Sequence, residues 1–503
     1  MTLRFWVSLI LSSMMLAIPW SWFSPKVFIL DETSYHFIAQ KMSWSRPYDW
    51  QMPWPPYSDN AFIFAHPPLF LWWVKAVGDA WWTGWIPQTL LIFSTLGLTF
   101  RSTKHPYKVF LLWICCASVF LPGTRTLMPD LWMSALGMTA MWCFWESQLQ
   151  EKWFVTVLGI LSLALASWVK YPAGLLLLIP LLHGRNSQKL WWGCGYFLLL
   201  AMFEGWLFLE YGRWHLYEVL RTASEIGHSN IQSRFFGIFA RIAISALPLT
   251  LLLLTSVQQF WKIPLGLAIL SFIWNFQEGV DAVIFAIFVF VGALILRLFQ
   301  TVEGSFNSQR DWPKMDWPKM DWKVTWAVVI LLGVCLGHNY TSPRYWMVAM
   351  WPLASLMERH CAQMFQSTKM RTCLALSIIG LCFLGYTERM HAQQSSDLIT
   401  LAQQKYPTAE FSGEWALRHQ AESLGMVYSR DPSQSPLLLS AQNSAGAMPL
   451  DSHEIIDAFE TSSSWIPLVS AEQSVGYYAD TLGLLPIGIS FQPIERVDVW
   501  KKR

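Results

Sequence analysis

The sequence predicts an all-α polytopic membrane protein that ends in a small mixed α+β domain. Of its 503 residues, 54% are hydrophobic and only 14% are charged, whereas soluble domains average about 25% charged residues. Apolar runs recur along most of the chain, and many of the 32 tryptophans lie near their ends, as in the aromatic belts of membrane interfaces. After residue 387 the apolar runs become short and polar, turn-forming residues return.

We predict about thirteen membrane-spanning helices. They lie near residues 4–23, 85–100, 108–122, 131–146, 153–169, 172–183, 190–209, 236–257, 263–277, 281–299, 323–337, 345–357 and 372–387. Several are shorter than the ~20 residues that a full span needs. Pro122, Pro172 and Pro343 explain some of this, because proline ends or kinks a helix.

The positions of lysine and arginine predict the orientation of these helices. Arg4 and alternate short loops, such as 101–108 and 359–371, are rich in basic residues, and such loops stay in the cytoplasm. Residues 24–84 then form an outer loop, in which 67–82 is expected to form short interfacial helices. An odd number of spans places residues 388–503 outside as well.

The predicted domains are therefore a membrane domain, 1–387, and an extracytoplasmic domain, 388–503. In the second domain, apolar patterns predict strands at 427–428, 436–439 and 487–491 and a helix at 395–404.

Composition argues against several classes of function. The net charge of +2 gives no basic surface for nucleic acid. The eight cysteines form no CxxC or Cys/His cluster, so no metal site is predicted, although a divalent metal ion is compatible with the sequence. No glycine-rich loop of the kind that binds nucleotide phosphates is visible.

The adjacent carboxylates Asp31 and Glu32 follow the first apolar run almost at once. Ionisable groups at a membrane are costly and usually persist for a function. We interpret the pair as a general base that faces the outer side, and a solvated pair at the mouth of a helix is the alternative.

Two further motifs on the predicted outer side contain His66 and the pair Arg125 and Asp130. His66 precedes two prolines that fix a turn, and a plain loop histidine is the alternative. Arg125 and Asp130 flank the start of a helix. They either stabilise the loop as an ion pair or help to bind a phosphate or a sugar.

Lys170 and Arg344 lie at two other outer helix ends. Lys170 closes one apolar run before Pro172 opens the next, and Arg344 follows Pro343. Cations at such positions suit an anionic head group at the membrane, and the alternatives are a snorkelling lysine and an interfacial arginine anchor.

The order and sidedness of these motifs resemble the GT-C family of membrane glycosyltransferases. The nearest branches are the protein O-mannosyltransferases and the aminoarabinose transferases that modify lipid A. The resemblance covers roughly residues 1–360. It rests on Asp31-Glu32 with Tyr35 and Ala39, on 66–72, on Pro129-Asp130, on 170–174 and on 343–345.

This resemblance implies an inverting transfer of a sugar from a polyprenyl-phosphate carrier to a protein, lipid or glycan acceptor. The reaction is expected on the outer face of a bacterial inner or plasma membrane. Asp31 stands at the position of the family's base, with Glu32 beside it. The residues expected to bind substrate are Tyr35, His66, Arg125, Asp130, Lys170, Tyr171, Arg344 and Tyr345. The lipid-linked donor, the acceptor and membrane lipids are the expected partners, and no cofactor is implied.

Two other classes of function stay open. A secondary transporter predicts broken helices near the membrane midplane and an internal structural repeat, whereas the polar groups of this sequence gather at the predicted outer surface. A non-catalytic envelope scaffold leaves the clustered motifs unexplained.

Overall fold

The structure is a computed structural model of the chain. It describes residues 3–21, 31–48, 67–78, 82–116, 119, 128–225, 239–246, 262–274, 286–287, 289–290, 292–293, 321–337, 343–360, 368–413, 416–429, 431–441, 452–461, 469–470, 475–476 and 495–503. This part of the chain is mostly helical and carries a small mixed sheet. The predicted fold class is thus confirmed in its coarse form.

The main helices follow one another along the whole described chain. They are α1 (Leu3–Ser21), α2 (Asp31–Lys41), α3 (Leu69–Val77), α4 (Trp82–Ser102), α5 (Pro106–Ile114), α6 (Pro129–Gln150), α7 (Trp153–Val169), α8 (Leu178–His183), α9 (Asn186–Tyr211), α10 (His215–Glu225), α11 (Lys262–Trp274), α12 (Trp322–Gly337), α13 (Met347–His360), α14 (Thr368–Lys405) and α15 (Ala416–Ser423). Two 3₁₀ helices, Tyr171–Leu177 and Pro343–Trp346, precede α8 and α13.

The chain divides into two compact units. The first consists of Met1–Trp20, Trp85–Gly123 and Pro129–Cys382, and the second of Ser21–Gly84, Thr124–Met128 and Phe383–Arg503.

Close helix packing in the first unit depends on small residues. A two-residue connection joins α6 to α7, which makes the two helices antiparallel neighbours. A Cβ atom on Gly97 would clash with the ring of Trp142, and one on Gly159 would lie 2.6 Å from the ring of Trp192. Glycine therefore lets these tryptophans reach the neighbouring backbone, as small residues do between membrane helices.

A break in regular helix follows α7. Lys170 is extended, with φ −159° and ψ 118°, and the 3₁₀ helix Tyr171–Leu177 then leads into α8. The helix predicted at 172–183 is thus part 3₁₀ and part α. Pro172 lacks the N–H that a helix continuous with α7 would use, which explains the break after α7. Gly174 lies against the hydroxyl of Tyr196, so this turn packs directly on α9.

A buried lysine joins three helices elsewhere in this unit. Lys323 of α12 is 1% exposed. Its Nζ donates to the Ser102 carbonyl at 2.9 Å and to Ser355 Oγ at 2.7 Å. The ammonium also lies 5.5 Å from the ring centroid of Trp351, within the range of a cation–π contact. These bonds tie α12 to the end of α4 and to α13.

Two of the described helices are long and apolar enough to cross a membrane by length and composition. They are α9 and the Arg371–Lys405 part of α14. In the most apolar stretch of α9 only 28% of the residues are buried, and Leu190, Trp191 and Leu209 are exposed. A water-facing surface rarely carries such a continuous apolar patch, so α9 suits lipid surroundings. The number of spans and their orientation stay predictions.

The second unit contains α2, which packs against α3. The rings of Tyr35 and Phe70 meet edge to face with centroids 5.2 Å apart. Lys75 Nζ donates to the Ala39 carbonyl at 3.2 Å, so a cation lies at the carbonyl end of α2, where the helix dipole favours it. The short helix expected within 67–82 is thus present as α3.

The sheet of this unit is mixed. It contains β1 (Glu410–Phe411), β2 (Leu437–Ala441), β3 (His453–Glu460) and β6 (Arg496–Lys502). Two short strands, β4 (Val469–Ser470) and β5 (Val475–Gly476), lie between β3 and β6 in the chain and pair with each other. The strand order is β1-β2-β6-β3, in which β1 and β2 are parallel and the other pairs antiparallel. Residues of α14 such as Ile399 and Ala402 form its core with Leu439, Val497 and Val499.

Several predicted boundaries are corrected by the structure. The helices predicted at 372–387 and 395–404 are one helix, α14, because the polar stretch between them contains no glycine or proline and continues the helix. The helix predicted at 108–122 already ends at Ile114 in α5. Residues 427–428 contribute only an isolated bridge from Tyr428 to Phe411.

One predicted strand is confirmed, two longer strands were not predicted, and three predicted segments lie wholly or mostly outside the described residues. The strand predicted at 436–439 is β2, while β3 and β6 were not predicted. The strand predicted at 487–491 and most of the helices predicted at 236–257 and 281–299 lie outside the described residues.

Candidate functional site

Asp130 is the centre of the candidate site in the first unit. It lies in the first turn of α6, directly after Pro129, and is completely buried. The helix N-terminus favours a carboxylate there, because the backbone N–H groups of the first turn point towards it. A buried carboxylate nevertheless needs charged or hydrogen-bonding partners.

Two cations from other helix junctions meet this carboxylate. Lys170 Nζ donates to Asp130 Oδ1 at 2.7 Å, and Arg344 Nε lies 3.7 Å from Asp130 Oδ2. Lys170 is 4% exposed and Arg344 is 6% exposed. A snorkelling or anchoring cation would keep its charged head in water, so burial and ion pairing contradict both of those alternatives.

The cluster of Asp130, Lys170 and Arg344 has the chemistry of an anion site. It joins two cations to one carboxylate, in surroundings where charge interactions are stronger than in water. A guanidinium is planar and carries five N–H donors. Arg344 can therefore contact Asp130 and a phosphate at the same time, with a geometry that a lysine cannot offer.

A second cluster adjoins the first through Tyr171. Its phenol donates a hydrogen bond to Glu204 Oε1, and its oxygen lies 2.6 Å from His215 Nδ1. The Leu216 N–H donates to Glu204 Oε2 at 3.1 Å. Both Glu204 and His215 are buried. The cluster thus connects the break after α7 to α9 and α10.

When Glu204 is ionised, the hydrogen bonds of the second cluster select one tautomer of His215. A phenol has a single proton, and Tyr171 uses it to donate to Glu204. The short contact with His215 therefore requires that Nδ1 of the imidazole carries a proton and donates to the phenol oxygen. The three side chains form a directed chain from imidazole to phenol to carboxylate.

Sequence reasoning missed both Glu204 and His215 as site residues. The signal for Glu204 was present, because a lone carboxylate within an apolar helix is itself unusual. No comparable signal in the sequence pointed to His215, because its role depends on how α10 packs against α9.

The remaining predicted site residues are placed in different ways. Asp31 begins α2 and Glu32 follows it in the first turn, while the side chains of both lie outside the described residues. Tyr35 is buried against Phe70 of α3. His66, Arg125 and the side chain of Tyr345 also lie outside the described residues, although the backbone of Tyr345 belongs to the 3₁₀ helix before α13.

No group of three or more His, Cys, Asp or Glu residues that could hold a metal ion is present among the described residues.

No protein-family model and no curated protein matches the chain. Two solved structures resemble it. Both are structures of ArnT from Cupriavidus metallidurans, one bound to undecaprenyl phosphate and one in the apo state. The first is 12% identical, with a TM-score of 0.42, and the match covers 88% of this chain and 93% of that one. The second is 12% identical, with a TM-score of 0.40, and the match covers 87% and 93%.

At 12% identity and a TM-score of 0.42, the likeness carries no argument about activity. The proposed activity rests on the residues of this chain.

Proposed function

We propose that this chain is an integral membrane glycosyltransferase. It moves a sugar from a polyprenyl-phosphate carrier to an acceptor on the outer face of a bacterial inner or plasma membrane. The observation that carries the proposal is the convergence of Lys170 and Arg344 on the buried carboxylate of Asp130. Two cations held together in an apolar helix bundle suit the single phosphate of a lipid carrier.

The buried cations would bind the donor and stabilise the leaving group. As the bond between the sugar and the phosphate breaks, negative charge grows on the phosphate oxygens. Preorganised cations stabilise such charge without the reorganisation that water would need. Arg344 and Lys170 take this role, with Arg125 as a further cation, and Asp130 holds the first two in place.

Asp31 would act as the general base. It removes a proton from a hydroxyl or amine of the acceptor as that group attacks the anomeric carbon, a contribution of about 10²–10⁴-fold. The position of Asp31 at the start of α2 suits an ionised carboxylate, because a helix N-terminus favours negative charge. One displacement of this kind inverts the anomeric configuration. Glu32 orients Asp31 or contacts the acceptor.

The other predicted residues would complete the substrate sites. Tyr35, His66 and Tyr345 supply aromatic and polar groups to the sugar and the acceptor. Tyr171 acts through its hydrogen bonds to Glu204 and His215, which fix the backbone next to Lys170.

A transfer assay tests the proposal. The purified chain in lipid nanodiscs is incubated with a polyprenyl-phosphate donor that carries a radiolabelled sugar, together with an envelope extract as acceptor. We expect label in acceptor material and release of polyprenyl phosphate, and both should fall about ten- to hundredfold in Arg344→Ala. Intact donor after incubation with the folded wild-type chain, across several donor sugars, would refute the proposal.

One observation favours a secondary transporter as the second candidate. The interruption of regular helix at Lys170, between α7 and the 3₁₀ helix, is a feature that transporters use to bind ions. A transporter would move a solute across proteoliposomes and leave the lipid-linked donor intact. The donor-release measurement therefore separates the two candidates.

A further inference from the structure

We propose that α15 of the second unit is a positioning element for α2, the helix that begins at Asp31, and that Arg418 is its main contact. This inference rests on the proposed role of Asp31 as the base. It assigns a task to the C-terminal part of the chain, which packs on α2 through α15.

Arg418 contacts α2 through an aromatic ring. Its guanidinium carbon lies 4.1 Å from the ring centroid of Phe37 and 5.0 Å from that of Tyr428. Its Nε donates to Glu422 one turn later in α15 at 3.0 Å, and its side chain is only 7% exposed. A cation over a ring is attracted more strongly when water is excluded, so this contact is well placed to hold Phe37.

The neighbouring pair adds a second point of contact. The rings of His36 and His419 meet edge to face with centroids 5.4 Å apart. His36 and Phe37 are consecutive residues of α2, and Arg418 and His419 are consecutive residues of α15. Consecutive helical residues point about 100° apart around the axis, so the two contacts together oppose rotation of α2 about its own axis.

Contacts with α3 hold α2 from another direction. Tyr35 meets Phe70, and Lys75 donates to the Ala39 carbonyl. Asp31 precedes these contact residues by only one to two helical turns. A change in the rotation or tilt of α2 therefore moves the carboxylate of Asp31 relative to any bound acceptor.

The test compares three variants of the full-length chain in lipid nanodiscs. Arg418→Ala removes the contact, and Arg418→Lys keeps a cation. Arg496→Ala is the matched control, because Arg496 pairs with Glu460 and Asp498 within the sheet. The readouts are kcat, the KM for the lipid-linked donor and amide hydrogen exchange of residues 35–41.

We expect Arg418→Ala to lower kcat by about ten- to hundredfold, the effect of a small misplacement of a reacting group. The donor KM should stay unchanged, because the cation cluster that binds phosphate is intact. Exchange at residues 35–41 should become faster. Arg418→Lys should recover part of the loss, and Arg496→Ala should behave as the wild type.

Wild-type kcat in Arg418→Ala overturns the proposal, and so does an equal loss in Arg496→Ala or a raised donor KM. If Arg418→Ala does not fold, Phe37→Leu replaces it in the test. This variant removes the aromatic partner of the same contact and should lower kcat by the same factor. If the wild type transfers no sugar, the proposed function fails. The exchange measurement still decides the positioning role, since unchanged protection in Arg418→Ala would contradict it.

Discussion

Asp130 illustrates how this chain keeps charged groups inside an apolar helix bundle. The carboxylate is fully buried, and it accepts a hydrogen bond from Lys170 and attracts Arg344. Desolvation makes such a cluster expensive, and replacing buried charges by apolar side chains often stabilises a protein. The arrangement is therefore better explained by a need to present charge than by stability.

Replacement of Asp31 by asparagine tests the base directly. Asp31→Asn keeps the size of the side chain but removes its basicity, so transfer should fall by about 10²–10⁴-fold. Transfer from the lipid-linked donor is measured at matched amounts of folded protein. Near-normal turnover would remove Asp31 from the mechanism.

The phenol of Tyr171 offers a test of the second cluster. Tyr171→Phe removes the hydroxyl that joins Glu204 to His215, and weakened bonding of buried polar groups costs about 1–3 kcal/mol. The midpoint of thermal unfolding should fall. Tyr217→Phe on the exposed side of α10, where the ring is 63% exposed, should melt as the wild type. Equal midpoints for the two variants would show that the phenol contributes nothing.

At the scale of elements, helix junctions carry the functional groups of the first unit. Asp130 is in the first turn of α6, Lys170 is the extended residue after α7, and Arg344 is in the 3₁₀ helix before α13. The prolines Pro129, Pro172 and Pro343 mark these junctions, which is why the sequence could predict where the charged groups lie. The pairing of the three groups could not be predicted, because it depends on how distant helices pack.

The long helix α14 is an element whose extent was predicted wrongly. Its polar part was separated from its apolar part in the prediction, since a change in composition suggested a boundary. Helix formation depends on the backbone and on local propensity, and no proline interrupts Thr368–Lys405. Strand β3 was missed because its residues are mostly exposed and show no regular alternation. Strand β6 does alternate, with Val497 and Val499 buried, so the pattern of a half-buried strand was present in the sequence.

The contacts of Asp457 at the end of α14 predict how stability depends on pH. Hydrogen bonds from Lys405 and, to a lesser extent, Tyr406 lower the pKa of Asp457 in β3 below its ordinary value of 3.8. The unfolded state then binds the proton more tightly than the folded state. The resulting stability is fully present above about pH 4 and is lost as the pH falls through the lowered pKa.

Asp457→Asn should therefore flatten the decline of stability in acid, measured as hydrogen-exchange protection at the end of α14 between about pH 2 and pH 5. Glu454→Gln, which changes an exposed carboxylate of the same strand, should keep the wild-type profile. A profile that Asp457→Asn leaves unchanged would mean that Lys405 and Tyr406 do not couple to this carboxylate.

At the scale of the whole molecule, the orientation in the membrane is the main prediction. The lysine and arginine bias of the loops and the odd number of predicted spans place the C-terminus outside and the loop near Asp316 in the cytoplasm. A topology reporter fused after Arg503 should report the outer side, and one inserted at Asp316 the inner side. Two reporters on one side would require a different number of spans.

Binding of polyprenyl phosphate without any sugar tests whether Arg344 and its neighbours hold the carrier phosphate. The dissociation constant is measured for the wild type, Arg344→Lys, Arg344→Ala and the surface control Arg221→Ala. A charge-assisted hydrogen bond contributes about 1.5–3 kcal/mol, so Arg344→Ala should weaken binding about ten- to hundredfold. Arg344→Lys should have a smaller effect, and Arg221→Ala should bind as the wild type. Wild-type affinity in a folded Arg344→Ala variant would mean that Arg344 does not hold the carrier phosphate.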